Sequence, residues 1–124
     1  DSKMQDRDDI ALMYAMQGQG TVKYGKNVEV YDGIDAIRRY KPKVVISAWV
    51  THKYNLNEHF RHGNMYGVKE ETILEKVDKY IFVGNTKTHK LKPILDLPHK
   101  TIEVPWLVSR VMDGNDIIWI WERK

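Results

Sequence analysis

The chain has 124 residues, 42% of them hydrophobic, with 20 Lys and Arg against 17 Asp and Glu for a net charge of +3. That length predicts one domain over residues 1–124 with roughly two-thirds of the unfolded surface buried on folding. The aromatic and β-branched content excludes collagen-like, low-complexity and disordered classes, and zero cysteine excludes a disulfide scaffold and a thiolate metal site. The longest apolar run, residues 44–50 with Ser47 inside it, is far short of the ~20 residues that span a bilayer. No charged-then-apolar leader opens the chain, so the expectation is a cytoplasmic protein without a membrane partner. The first residue is Asp1 and not Met, and the expectation is a processed or trimmed piece of a longer protein.

The first predicted element is a helix: Ile10, Met13, Tyr14 and Gln17 repeat at i, i+3, i+4, i+7, Asp8 and Asp9 stand at its positive end, and Gly18 or Gly20 stops it. Its apolar stripe needs a surface to cover. Residues 28–31 read as a short strand, followed by Asp32 as an N-cap and a helix through Ile34, Ala36 and Ile37; Pro42 ends it by pushing Lys41 out of the α region. Residues 44–50 form an apolar run without clean alternation, the pattern of a strand covered on both faces, and read as a central parallel strand. Residues 51–67 are polar and aperiodic, a long loop of the kind that often carries function, with one helical turn around residues 58–61.

Helical spacing returns over residues 69–79, with Ile73, Leu74 and Val77 inward, Glu70 and Glu71 early, and a favourable pair between Glu75 and Lys79. Residues 80–85 are a second buried strand ending in turn chemistry. A short helix over residues 91–95, bounded by Pro93 and Pro98, leads to a strand at 101–104. A last strand at 117–121 follows Asp113-Gly114-Asn115, a turn signal that permits antiparallel pairing. Strands alternating with helices predict a parallel sheet with an antiparallel edge at its end, and no internal repeat or linker divides it.

That order, together with residues 28–37 (VEVYDGIDAI), 41–49 (KPKVVISAW) and 80–84 (YIFVG), resembles the second half of the class I S-adenosylmethionine-dependent methyltransferases, from about the end of their second strand. The resemblance implies an α/β, Rossmann-like, mostly parallel sheet flanked by helices and closed by an antiparallel strand pair, N-terminally incomplete here. The fourth strand of that family runs into the active site, the fifth is covered by helices, and the sixth and seventh form an antiparallel hairpin. The implied cofactor is S-adenosylmethionine, and the implied activity is methyl transfer to an unidentified acceptor.

By the same resemblance, Asp1 matches the acidic residue that binds the cofactor's ribose hydroxyls, since a vicinal diol needs two acceptor oxygens. Asp32 or Asp35 matches the residue that accepts from the adenine amino group, although an N-cap explains Asp32 and helix solvation explains Asp35. Ser47-Ala48-Trp49 takes the place of the fourth-strand motif, with Trp49 as a wall of the cofactor pocket; it is not of the Asn-Pro-Pro-Tyr type, which argues against base or amide amino methylation. The Gly-rich cofactor loop is missing, because Gly18-Gln19-Gly20 follows a helix and does not join a strand to one. In the family the missing segment is the central strand of the sheet. Without it long apolar edges stay exposed, so the expectation is a preceding segment that completes the sheet, the alternatives being a second chain that supplies it or a rearranged smaller sheet.

Other candidates come from position and chemistry. His52 directly follows the strand at 44–50, where open α/β sheets place ligands, and a pKa near neutrality suits a general base. Asn85 holds the same place after the next strand, and Trp106 with Arg110 pairs an aromatic with a guanidinium able to bind a carboxylate or phosphate. These last three are candidate substrate contacts. His59 and His62 stand at i, i+3 without a third ligand, so no metal is assigned. No phosphate loop, strained Gly-x-Ser-x-Gly turn or telling carboxylate pair supports a hydrolase or nucleotide-triphosphatase. The alternative from a different class is a non-catalytic module that engages a protein or nucleic acid through the sheet edge or the basic clusters at residues 38–43 and 87–92, which otherwise read as solvated faces.

Overall fold

The computed structural model describes residues 1–123. Length predicts one domain; the contacts divide the chain into two compact units, Asp1–Arg39 and Tyr40–Lys124. The first unit opens with a 3-10 turn at Met4–Asp6 and continues into helix α1, Asp8–Met16, with Asp8 and Asp9 in the first turn where unpaired N–H groups favour negative charge. The helix stops before Gly18, whose φ is +69°. Its predicted apolar stripe is only partly covered: no α1 residue is buried, Ile10 and Tyr14 are half-buried, and Leu12, Met13 and Met16 stay exposed. The strand expected at residues 28–31 is absent. The Tyr31 N–H bonds the Asp1 carbonyl at 2.9 Å and the terminal amine the Glu29 carbonyl at 3.3 Å, without the repeated rungs that make a strand. Helix α2, Gly33–Tyr40, starts where its cap predicts, since Asp32 Oδ1 accepts from the Ile34 N–H at 2.9 Å.

The second unit holds β1 (Val44–Ala48), α3 (Glu70–Lys76), β2 (Lys79–Asn85), β3 (Lys100–Glu103) and β4 (Asp116–Glu122), with 3-10 turns at Leu56–Arg61 and Pro93–Asp96. The sheet order is β1-β2-β4-β3; β1 runs parallel to β2, and β4 lies antiparallel to both β2 and β3. This is a mixed α/β fold in which a central sheet is flanked by helices. The antiparallel last pair follows the turn at Gly114, φ +75°.

Two expectations need correction. The strand at 44–50 is an edge and not a centre, and parallel pairing is confined to β1 and β2, so the sheet is not mostly parallel. An apolar run records that side chains avoid water but not which strand lies beside it. Burial along β1 in fact alternates, with Val45 and Ser47 half-buried and Val44, Ile46 and Ala48 exposed.

The two-residue period of a strand explains the core. Registers Val45 with Tyr80, Ser47 with Phe82, Phe82 with Trp119 and Tyr80 with Trp121 put these side chains on one face. Phe82 stacks on Trp119 at 5.9 Å, and the Trp121 indole N–H donates to the Ile94 carbonyl at 2.9 Å. Ile73, Val77, Ile94, Val104 and Ile117 are buried as well, and each such side chain contributes about 1.5–3 kcal/mol on full burial. The opposite face carries Ile46 at 70% exposure and Ile102 at 45%.

Candidate functional site

At the carboxyl end of β1 the chain turns sharply. Trp49 takes φ +57°, a left-handed conformation that costs a side-chain-bearing residue about 1–2 kcal/mol. Its N–H makes the last rung to β2, on the Val83 carbonyl at 2.9 Å. The next carbonyl, that of Val50, accepts instead from Lys92 Nζ at 2.7 Å. Lys92 is 1% exposed; it donates to both Glu70 oxygens at 2.8 and 2.7 Å, and its ammonium lies 4.1 Å from the Phe82 ring centroid. Glu70, equally buried at the start of α3, also accepts from the Tyr80 hydroxyl at 2.7 Å, and that oxygen accepts from Ser47 at 2.6 Å.

The network therefore begins at Ser47, inside β1, and ends at Val50, just past it, with every ammonium hydrogen of Lys92 used. Burial pushes the Lys92 ammonium below the usual lysine value, opposed by Glu70. Burial, with the Glu70 charge, raises the Tyr80 phenol far above its ordinary range and keeps it a donor.

Two histidines complete the corner. His89 is wedged edge-on between Trp49 and Phe82, with ring centroids 5.0 Å from each. The Asn85 N–H donates to its Nδ1 at 2.9 Å, which puts the ring proton on Nε2, and burial pushes its pKa down to about 4. Gly84 makes room for that ring: a Cβ there would stand 2.6 Å from His89 Nδ1. His52 lies on the loop after β1, its Nε2 2.8 Å from the Arg61 carbonyl. Only an N–H can pair with a carbonyl, so Nε2 carries the proton and Nδ1 holds the lone pair. Burial lowers the His52 pKa, opposed by the bond to Arg61, which favours the neutral ring.

The loop is closed around His52 by backbone bonds and by an ion pair. The Lys53 N–H donates to Val68 and the Asn64 N–H to His52, at 2.9 and 3.0 Å, and Arg61 reaches Asp96 at 2.6 Å. A Cβ at Gly67 would collide with the His52 carbonyl, which fixes that position as glycine.

The predicted site residues separate into groups. Trp49, 39% exposed, and half-buried His52 stand on the β1 corner. Asn85 is a correction: it is 1% exposed, its Oδ1 accepts from the Lys87 and Thr88 N–H groups and its Nδ2 donates to Asp113 and Asp116. Its amide is fully spent on joining two turns and has nothing to offer a substrate. Trp106, 79% exposed, and exposed Arg110 belong to the segment between β3 and β4, part of which lines a cleft of about 410 Å³ with Val104, Leu107 and Asp116. Among the described residues no hydrogen bond, ion pair or ring contact joins either to Trp49 or His52.

In the first unit, Asp1 accepts from the Lys3 N–H at 2.6 Å, Asp35 pairs with Arg38 at 3.3 Å, and Asp32 serves as the cap described above. No helix among the described residues is long and apolar enough to cross a membrane, and no three of their His, Asp and Glu side chains gather as a metal site.

Sequence reasoning gave Glu70 only a place at a helix start, Tyr80 only a place in a buried strand and Lys92 only a place in a basic cluster. Lys92 lies in a basic stretch with Lys87 and Lys90, and nothing in residue type separates the buried one from its exposed neighbours. Compared with protein-family models, curated proteins and solved structures, the chain matches none of them.

Proposed function

We propose that the chain is the acceptor-side part of an S-adenosylmethionine-dependent methyltransferase, acting on an unidentified acceptor. The observation that carries the reading is the parallel pair β1 and β2, whose carboxyl ends meet at Trp49 and His52, followed by an antiparallel strand pair. That sequence of strands is what the resemblance implies for the fourth to seventh strands of the family. On this reading the open edge of β1 receives the strand that carries the missing Gly-rich loop, from a segment outside these residues or from a second chain.

S-adenosylmethionine supplies an electrophilic methyl group when bound. The chain's own residues position and desolvate: the Trp49 indole forms a wall, and His52 Nδ1, with its lone pair free, takes the acceptor's proton.

Calorimetric titration of S-adenosylmethionine and S-adenosylhomocysteine tests this. Binding that weakens about tenfold in Trp49→Ala, a loss near 1.4 kcal/mol, supports the reading. No heat either from this chain or from one extended upstream of Asp1, both folded, sinks it. The second reading, a non-catalytic interaction module, is favoured by Val44 and Ile46, 49% and 70% exposed on an open strand edge. It predicts no cofactor heat and capture of a partner that Ile46→Lys abolishes.

A further inference from the structure

We infer that the buried Lys92 and Glu70 pair is a positioning device for the β1 corner, holding the left-handed Trp49 and the Val50 carbonyl so that the indole is presented at the site. A side chain in this backbone region persists only where its surroundings over-determine it. Three contacts do so here: the Trp49 N–H on Val83, the Val50 carbonyl on Lys92, and the indole against His89. The last two come from one turn, because the Lys92 N–H bonds the His89 carbonyl at 3.1 Å, so ring and ammonium arrive at the corner together.

The choice of a charged pair is informative. Burying two ions is costly, and an apolar pair of equal volume is often as stable. What an apolar pair cannot supply is a donor for the Val50 carbonyl, which the left-handed turn has removed from the sheet ladder. Glu70 supplies the counter-charge and, through Tyr80, ties Ser47 on the near side of the same corner. With side-chain exposures of 0% and 1%, neither partner can touch a substrate, so both are positioning and not catalytic residues.

Its consequence for cofactor affinity rests on the methyltransferase reading; the mechanical part stands by itself. The test is the double variant Glu70→Gln/Lys92→Met, which removes both charges at similar volume and leaves Tyr80 an acceptor. In the folded variant the Trp49 indole N–H resonance moves, the Trp49 amide exchanges about tenfold faster, and any S-adenosylhomocysteine affinity falls about tenfold. Val77→Ala, a core change at the opposite end of β2, lowers Tm while leaving the Trp49 resonance in place. A folded double variant with unchanged Trp49 resonance and exchange overturns the inference.

Should neither the wild-type chain nor its form extended upstream of Asp1 bind S-adenosylhomocysteine, the methyltransferase reading fails and the Trp49 signals still decide this one. Should the double variant not fold, Glu70→Gln alone keeps an acceptor for Lys92 and Tyr80; faster Trp49 exchange in it supports the device, and unchanged exchange refutes it.

Discussion

Replacing His89 by glutamine should flatten the loss of stability on acidification. The His89 ring is 7% exposed, its Nδ1 already accepts the Asn85 N–H, and Lys92 lies nearby, so a second proton is disfavoured and the pKa stands at about 4. An unfolded histidine titrates near 6.5. The folded value is the lower one, so the contribution is fully present above about pH 6.5 and is lost as pH falls toward 4, where the unfolded chain binds a proton that the folded chain refuses. A gap of about 2.5 pH units at 1.36 kcal/mol each gives about 3 kcal/mol lost across that window. In His89→Gln the new amide keeps an acceptor for the Asn85 N–H but cannot titrate. Urea unfolding followed by tryptophan fluorescence at pH 7, 6, 5 and 4 should show wild type losing about 3 kcal/mol more than the variant over the range. His52, also lowered by burial, is present in both proteins. Equal slopes for the two proteins would refute the assignment of this acid sensitivity to His89.

Asn85→Ala should cost about 2–3 kcal/mol in urea unfolding, because the Lys87 and Thr88 N–H groups lose their acceptor and the link to Asp113 and Asp116 is cut; a change within experimental error would contradict the structural role given to that amide. Gly84→Ala should lower stability by about 1–3 kcal/mol, since the added carbon meets His89 Nδ1 and the Phe82 ring. The same variant should displace the His89 ring resonances, and a stable protein with unmoved His89 signals would show that the ring is not seated on Gly84.

The parts of the fold legible in the sequence are those fixed by local chemistry. Asp32 caps α2 because its carboxylate reaches the Ile34 N–H whatever else the chain does, and the Gly114 turn permits the antiparallel last pair for the same local reason. Strand β2 was readable because its run is buried in any arrangement that gives it two neighbours. The same logic misplaced β1, whose composition resembles that of β2 while its second neighbour is absent from the sheet. The strand at 28–31 failed for a related reason: Val28, Val30 and Tyr31 have the propensity, but no ladder forms beside them, and propensity without a partner does not make a strand.

The candidate site was half legible, and the division is physical. The position of Trp49 and His52 past the carboxyl end of β1 could be read because strand direction follows from the sequence order. The groups that hold them, Glu70 and Lys92, are 22 residues apart and look like any surface pair on a helix start and a basic turn. Their burial is created by Phe82 beneath the ammonium and by a carbonyl that a left-handed Trp49 turns out of the sheet. Neither event leaves a mark on residue type or spacing. A buried charge is recognised only once its partners are in place, so the residue whose environment is most unusual in this chain is the one composition describes as ordinary.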